Sequence, residues 1–176
     1  MCADVWLSRP SPEDASDFIA EVQASRSLQA PWVFPADTPQ RFEAYLGTAA
    51  RADRASFLIR HAECGGLVGF ANISNIVRGA LQSGYLGYGA FASHAGRGLM
   101  TAGLRAVLDA AFGDLGLHRV EANIQPANTR SLAIARRLGF RHEGFSPRYL
   151  QIDGEWRDHE RWALLAEDWA STETQC

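Results

Sequence analysis

The chain has 176 residues, 47% of them hydrophobic, with a formal net charge of −3 and three widely spaced cysteines. This length allows one sizeable core, so a single α/β domain is expected, and the charge excludes broad nucleic-acid binding, which needs a concentrated basic face. No apolar run reaches the ~18 residues that span a bilayer, and the cysteines favour neither a disulfide framework nor a metal site, so we expect a soluble, cytoplasmic protein without a metal.

Strands and helices are predicted to alternate along the chain. In order, the patterns predict a strand at 5–9, helices at 12–25 and 38–50, strands at 56–61, 67–76 and 83–91, a helix at 99–112, a strand at 119–125, a helix at 129–138 and a closing hairpin at 140–152 and 155–164. Residues 29–39 carry three prolines and two large aromatic side chains. Such a segment cannot form long regular structure and suits a loop folded over a pocket.

Glycines mark the strand at 83–91 and the turn that follows it. Glycine within a strand indicates a bulge or a close backbone approach by a ligand. Gly96 and Gly98 then stand where this strand turns into a helix, and the exposed N–H groups there can bind an anion such as a pyrophosphate. A dinucleotide-binding fingerprint would need a third glycine at Thr101, and the Gly-Lys-Ser/Thr of a P-loop is absent. Hydride and phosphoryl transfer are therefore disfavoured.

Two segments about thirty residues apart, Ser93 to Thr101 and Asn128 to Phe140, together resemble the acyl-CoA site of the GNAT superfamily of N-acyltransferases. The run from Tyr149 to His159 resembles its Rim-type branch, whose best-known members acetylate the N-terminal amine of ribosomal proteins. The resemblance covers residues 5–169, with 170–176 as a short tail. It implies a three-layer fold around a mixed, mostly antiparallel twisted sheet of about seven strands. That sheet should splay at the acyl-CoA site, with a bulge in the strand at 83–91.

Acetyl-CoA is the donor that this resemblance implies, with no metal. Asn128 can cap the following helix by accepting a hydrogen bond from the N–H of residue 130 or 131, and the resemblance adds a contact to the pantetheine arm. The residues expected to bind acetyl-CoA are Phe91, Ala92, Gly96, Arg97, Gly98, Leu99, Met100, Thr101, Asn123, Asn128 and Ser131.

Ser131 is the residue expected beside the leaving sulfur. Many relatives carry a tyrosine at the position of Ala135 to protonate the departing thiolate, whereas Rim-type relatives use a serine at the position of Ser131. This serine shares a helical face with Asn128, and we expect its hydroxyl group to hydrogen-bond to the sulfur as charge develops. An ordinary polar role in the first turn of the helix is the alternative.

The general base is less clearly marked. Glu121, Asn123 and Gln125 alternate onto one face of a strand, and Glu121 is the favoured base, with ion pairing to an arginine as its alternative role. His159 and Asp158 in the Rim-type run are rivals, and deprotonation through water by more than one group is equally compatible. The catalytic residues expected are Ser131, Glu121 and His159.

A protein or peptide N-terminus is the acceptor that the resemblance implies, attacking the thioester directly in a ternary complex. A small-molecule amine such as an antibiotic or a polyamine is the runner-up, and a non-catalytic acyl-CoA sensor is a third alternative. Trp32, Phe34, Tyr85 and Asp158 are expected near the acceptor, with plain packing as the alternative for the first two. Neither nucleic acid nor a membrane is an expected partner, and a homodimer is compatible with the resemblance.

Overall fold

Seven strands form one mixed sheet in the computed structural model, which describes residues 4–173. In chain order they are β1 Val5–Ser8, β2 Ala55–His61, β3 Leu67–Val77, β4 Ser83–Ala90, β5 Arg119–Ile124, β6 Arg141–Ile152 and β7 Glu155–Leu165. The spatial order is β1-β2-β3-β4-β5-β7-β6, in which β4 and β5 are parallel and all other neighbours are antiparallel. The mostly antiparallel sheet of seven strands is confirmed.

Helices cover both faces of this sheet and complete three layers. Among the described residues they are α1 Ala15–Ala24, α2 Arg26–Gln29, α3 Pro39–Ala49, α4 Leu99–Phe112, α5 Thr129–Arg137 and α6 Ala166–Glu173. One buried cluster packs α1 and α3 against one face, and a larger cluster packs α4, α5 and α6 against the other. Coverage on both faces explains why every residue from Leu67 to Ile73 is buried. None of the described helices is long and apolar enough to cross a membrane.

Helix α4 has the ends that its sequence pattern predicts. Its apolar residues recur every three or four positions, and three of them, Leu104, Val107 and Leu108, are fully buried against the sheet. Gly113 closes the helix by donating its N–H to the carbonyl oxygen of Asp109 at 2.8 Å. This packing fixes the position of the helix N-terminus, which is the part of α4 that faces the candidate site.

The last helix, α6, has no counterpart in the predicted elements. Trp169 is 5% exposed, and its indole Nε1 donates a hydrogen bond to a carboxylate oxygen of Asp109 on α4 at 2.8 Å. The guanidinium carbon of Arg105 lies 5.6 Å from the centre of the same ring. The expected boundary between residues 169 and 170 falls inside this helix, and residues 174–176 lie outside the described part of the chain.

The glycine-rich strand β4 does not contain the expected bulge. Its register with β3 is unbroken from Tyr85 to Ala90, and the irregularity lies on β3 instead, between Ser74 and Val77. The glycines of β4 allow close packing, because a Cβ at Gly89 would lie 2.6 Å from the ring of the buried Phe70. The prediction of a bulge in β4 was therefore wrong, and close approach is the physical reason for at least this glycine.

Candidate active site

Strands β4 and β5 separate soon after they begin. They pair only from Ser83 to Tyr85 on β4, which then continues to Ala90 without a partner on that side. This edge of β4 therefore carries backbone N–H and C=O groups that belong to no ladder. A cleft of about 790 Å³ opens between the two strands and the first turns of α4 and α5. The expected splay of the sheet is confirmed here.

The N-terminus of α4 forms one end of this cleft. Gly96 and Gly98 have φ angles of 79° and 78°, a conformation that favours glycine, and a Cβ at either would meet no atom within 4 Å. Within the described chain, no backbone N–H from Gly96 to Thr101 has a backbone acceptor. These groups lie at the positive end of a 14-residue helix, and Arg130 and Arg137 line the same cleft. Such a site fits a pyrophosphate.

Most residues expected to bind acetyl-CoA line the cleft, namely Phe91, Ala92, Gly96, Gly98, Met100, Thr101, Asn123, Asn128 and Ser131. The side chains of Arg97 and Leu99 do not. Leu99 is 6% exposed and packs into the core, whereas Arg97 is exposed. Both residues still belong to the run from Gly96 to Thr101 whose backbone N–H groups have no backbone acceptor in the described chain. Their contact with the donor through the main chain therefore stays a prediction.

Asn128 and Ser131 are held together at the start of α5. The Oδ1 atom of Asn128 accepts a hydrogen bond from the N–H of Ser131 at 3.2 Å, which is the capping contact predicted from the sequence. Ser131 is half-buried and lines the cleft. Ala135, one turn further along, is 3% exposed within the core, so no phenol enters the cleft from that position.

Tyr88 on β4 reaches across the gap between the parted strands. Its hydroxyl group donates a hydrogen bond to the carbonyl oxygen of Ser131 at 3.4 Å. Burial raises the pKa of this phenol, and its contact with Ser131 only partly opposes that shift, so the phenol remains protonated. Sequence reasoning missed this residue; the available signal was a tyrosine between two glycines in a strand next to the anion site.

His159 on β7 lines the cleft and is 2% exposed. Its Nδ1 atom lies 2.9 Å from the carbonyl oxygen of Arg157, and because a carbonyl can only accept, Nδ1 must carry the proton. The lone pair of the neutral ring is therefore on Nε2. Burial lowers the pKa of this imidazole, although the Arg157 hydrogen bond and the charge of Asp158 partly oppose it. The neutral ring, with Nε2 as a proton acceptor, is the favoured form at neutral pH.

Glu121 and Tyr85 lie at the closed end of the gap, where β4 and β5 are still paired. The Glu121 carboxylate accepts a hydrogen bond from Nε of Arg119 at 2.9 Å, and neither Glu121 nor Tyr85 lines the cleft. Burial first, and then the Glu121 charge, raise the pKa of Tyr85. Two residues further along β5, Asn123 does line the cleft, and its buried Oδ1 has no hydrogen-bond partner among the described residues.

The other residues expected near the acceptor lie apart from one another. Trp32 lines the cleft, whereas Phe34, 42% exposed, lines a second cavity. Asp158 is exposed and accepts a hydrogen bond from the N–H of Arg148 at 2.7 Å, outside the cleft lining. Gln29 lines the cleft but was not predicted, because the short helix α2 that positions it was read as the start of a loop. The roles of all these residues toward the acceptor stay predictions.

No group of three or more histidine, cysteine, aspartate or glutamate residues in the described chain could hold a metal ion. Cys64 is an exposed free thiol, and Cys2 and Cys176 lie outside the described residues.

Residues 4–141 match the family described as acetyltransferase (GNAT) domain. The ribosomal protein uS5-alanine N-acetyltransferase of Escherichia coli is 44% identical over 103 residues, which are 58% of this chain and 53% of that protein. The chain spans about half the length of the curated relatives it matches in this way.

Mycobacterium smegmatis RimJ in complex with CoA-disulfide is similar in structure, with a TM-score of 0.83 at 31% identity, covering 96% of this chain and 89% of that one. Vibrio cholerae spermidine N-acetyltransferase in complex with CoA and spermine has a TM-score of 0.80 at 18% identity, covering 95% and 98%, which shows a shared fold.

Proposed function

The chain belongs to the GNAT acetyltransferase family and to its Rim-type branch, and on that premise we propose that it transfers an acetyl group from acetyl-CoA to the N-terminal amine of a protein or peptide. The observation that carries the proposal is the parting of β4 from β5 beside the N-terminus of α4, where consecutive N–H groups have no backbone acceptor in the described chain. A relative that covers 96% of this chain was solved with CoA-disulfide.

The donor is held by its phosphates and by its amide-containing arm. The N–H groups from Gly96 to Thr101 would bind the pyrophosphate, with the charges of Arg130 and Arg137 beside it. The free edge of β4 offers N–H and C=O groups to the arm. Asn123 adds the buried Oδ1 that lacks a donor, which a ligand N–H would satisfy.

Acetyl-CoA supplies the activated acetyl group, and the residues of the cleft position the amine and manage its proton. Transfer forms a bond between the amine nitrogen and the thioester carbon, breaks the carbon–sulfur bond and releases one proton from the amine. His159 would accept that proton at Nε2, directly or through water. We therefore place His159 above Glu121 as the base, which reverses the order favoured by sequence alone.

Two observations support this order of the candidate bases. His159 lines the cleft with a free lone pair, whereas the Glu121 carboxylate is bonded to Arg119 and lies where the strands have not yet parted. Glu121 then helps to hold the closed end of the gap.

Ser131 would stabilise the leaving sulfur. It lies in the first turn of the nine-residue helix α5, where the positive end of the helix favours a developing thiolate. Tyr88 holds the backbone of this turn against β4, and Asn128 holds it from the other side. Positioning of this kind compensates for the absence of a tyrosine at Ala135.

The charge of the cleft favours an α-amine over a polyamine as acceptor. Neither aspartate nor glutamate lines the cleft in the described residues, so a polycation would find no carboxylate there. An α-amino group has a pKa of about 8 and is partly neutral near pH 7, whereas an alkyl amine such as that of lysine has a pKa of about 10.4. A histidine with a lowered pKa suits the less basic amine.

The test is thiol release from acetyl-CoA in the presence of a panel of amines. The panel contains peptides with a free N-terminus, the same peptides with a blocked N-terminus and an internal lysine, and spermidine. We expect turnover with the free N-termini only. The chain has no lysine, so acetylation of its own side-chain amines cannot supply a background.

Two results would contradict the proposal, each in favour of one alternative. Faster turnover of spermidine than of any free N-terminus would favour a small-molecule acetyltransferase. Tight CoA binding in calorimetry without thiol release for any amine would favour an acyl-CoA sensor.

A further inference from the structure

A second cavity of about 330 Å³ lies on the face of β3 that α1 and α3 cover. Its walls are the aromatic rings of Phe18, Phe34 and Phe70. Its polar groups come from Arg41, Tyr45, Thr48, Arg54 and Asn72, and no carboxylate side chain lines it in the described residues. The cavity thus combines apolar walls with positive charge and hydrogen-bond donors.

Arg54 is the cation in this cavity whose side chain has no hydrogen-bonded partner among the described residues. Its Nε atom is buried without a hydrogen bond, and its guanidinium makes no ion pair within the described chain. The adjacent carboxylate, Asp53, is bonded to Arg51 through both oxygen atoms. Arg41 is by contrast neutralised by Asp37 at 2.6 Å. A partly buried, unpaired guanidinium is costly, and an anion in the cavity would remove that cost.

Asn72 provides a second donor beside this cation. Its Oδ1 atom accepts a hydrogen bond from the Tyr45 hydroxyl group at 3.2 Å, which fixes the amide plane. The amide nitrogen is left without an acceptor in the described residues, and Asn72 belongs to the lining of the cavity. A guanidinium and an amide N–H2 together are the donors that a carboxylate requires.

The cavity adjoins the cleft across strands β3 and β4. Asn72 and Gly87 are Cα partners across β3 and β4, and Gly87 lines the cleft. A Cβ at Gly87 would meet no atom within 4 Å, so the surface above it is open. Val33 lines both spaces. A molecule with its amine in the cleft can therefore extend over Gly87 toward Asn72.

We propose that this second cavity binds a carboxylate carried by the acceptor, held by Arg54 and Asn72. The inference rests on the proposed acetylation of an N-terminal amine and defines which N-termini are preferred. The carboxylate comes either from an acidic side chain close to the amine or from the C-terminus of a very short peptide. The same pair of donors would bind both.

The test compares matched acceptors. One arm uses peptides with glutamate or glutamine at the second, third or fourth position, and the other uses dipeptides with a free or an amidated C-terminus. We expect kcat/KM to be roughly ten- to a hundredfold higher for the carboxylate-bearing member at one position or in the dipeptide, mainly through KM, as for hydrogen bonds to a charged group. The arm that shows the difference identifies the source of the carboxylate.

Variants of two arginines separate a specific contact from general charge. Arg54→Gln should abolish the preference by lowering kcat/KM of the carboxylate-bearing member to about that of the neutral member. Arg78→Gln, which removes the same charge from an exposed side chain that lines neither the cleft nor the second cavity, should keep the preference. Arg54→Lys should restore part of it, which keeps the test valid if Arg54→Gln proves unstable in thermal melting.

Three results would contradict the carboxylate site. The first is equal kcat/KM for the charged and neutral members in both arms. The second is a preference that survives in folded Arg54→Gln, and the third is an equal loss in Arg78→Gln. If no free N-terminus is turned over at all, the proposed function fails and this inference fails with it, whereas equal turnover of matched peptides contradicts the carboxylate site alone.

Discussion

Tyr88 and Ser131 join two segments that the parting of the sheet would otherwise separate, since the phenol of β4 donates to the carbonyl oxygen of Ser131 at 3.4 Å. This contact runs from the strand whose edge is free to the helix turn whose serine faces the cleft. It therefore sets the position of Ser131 relative to any donor bound along β4.

Tyr88→Phe should lower turnover about fivefold without loss of donor affinity. The variant removes one hydrogen bond, worth ~1 kcal/mol, that holds the turn of Ser131, but keeps the ring in its packing position. Steady-state kinetics and CoA titration by calorimetry measure the two quantities. Unchanged turnover would mean that the turn is positioned by its Asn128 cap alone.

Ser131→Ala should lower kcat by about ten- to a thousandfold, with little change in CoA affinity, because the hydroxyl group acts only as charge develops on sulfur. Single-turnover kinetics isolate the chemical step. Combination with Tyr88→Phe should give less than the product of the two losses, since both act on the same turn. Wild-type chemistry in Ser131→Ala would leave this residue a structural role.

Gly98→Asp should sharply weaken CoA binding, because its carboxylate would lie at the positive end of α4 beside the bound phosphates. Gly98→Asn is the matched control, since both variants must adopt the same φ near 78° and only one carries charge. We expect calorimetry to show a much larger loss for aspartate. Equal affinities in the two folded variants would place the pyrophosphate elsewhere.

His159→Gln should remove an ionisation from the rate profile that Glu121→Gln leaves in place. Burial lowers the pKa of His159 below its ordinary value near 6.5, so kcat/KM should rise with pH through an ionisation below that value. The wild type and both variants are assayed with the same acceptor, so that ionisation of the acceptor amine contributes equally to all three rate profiles. Loss of the ionisation in Glu121→Gln instead would make Glu121 the base.

The same pKa shift predicts how stability depends on pH. Because the folded-state pKa of His159 is lowered, its contribution to the free energy of unfolding is complete above about pH 6.5 and is lost as pH falls through the folded-state pKa. His159→Gln should therefore lose less stability than the wild type between about pH 7 and about pH 5. Urea titration at each pH provides the free energies of unfolding.

Trp169→Ala should destabilise the protein by roughly 3–5 kcal/mol, because it removes a buried ring that docks α6 on α4. Asp109→Asn should cost about 1 kcal/mol, since it weakens only the hydrogen bond from the indole, whereas Trp169→Phe removes that bond together with part of the buried ring and should cost more. Denaturant unfolding measures these values. A negligible effect of Trp169→Ala would mean that the docking of α6 on α4 does not stabilise the fold.

Local patterns predicted the elements well where one segment determined its own structure. The apolar spacing of α4 defined its ends, and Asn128 was predicted as a cap that bonds to residue 130 or 131. The mostly antiparallel sheet of about seven strands and its splay were predicted from the family resemblance, which covers nearly the whole chain. These are features that depend on neighbouring residues or on motif order.

The candidate site was harder to predict because it depends on where two strands separate. Glu121 and Asn123 share a face of β5 as predicted, yet only Asn123 lies beyond the point at which β4 leaves. The spacing of polar and apolar residues in a sequence does not indicate how many residues of two parallel strands will pair. The contact from Tyr88 to Ser131 joins residues 43 positions apart. Helix α6 is likewise held by a long-range hydrogen bond, from Trp169 to Asp109, that no local pattern indicates.

The short pairing of β4 with β5 also connects donor binding to the stability of the sheet. Among the described residues, β1–β4 are joined to β5–β7 through backbone bonds only at three paired residues and at the carbonyl oxygen of Gln82, which accepts the N–H groups of His118 and Arg119. We therefore expect this pair of strands to open more readily than the other pairs of the sheet. An extended, amide-bearing molecule along the free edge of β4 would act as a substitute strand. The melting temperature should consequently rise with donor concentration, and the amides that become most protected from hydrogen exchange should be those that flank the gap.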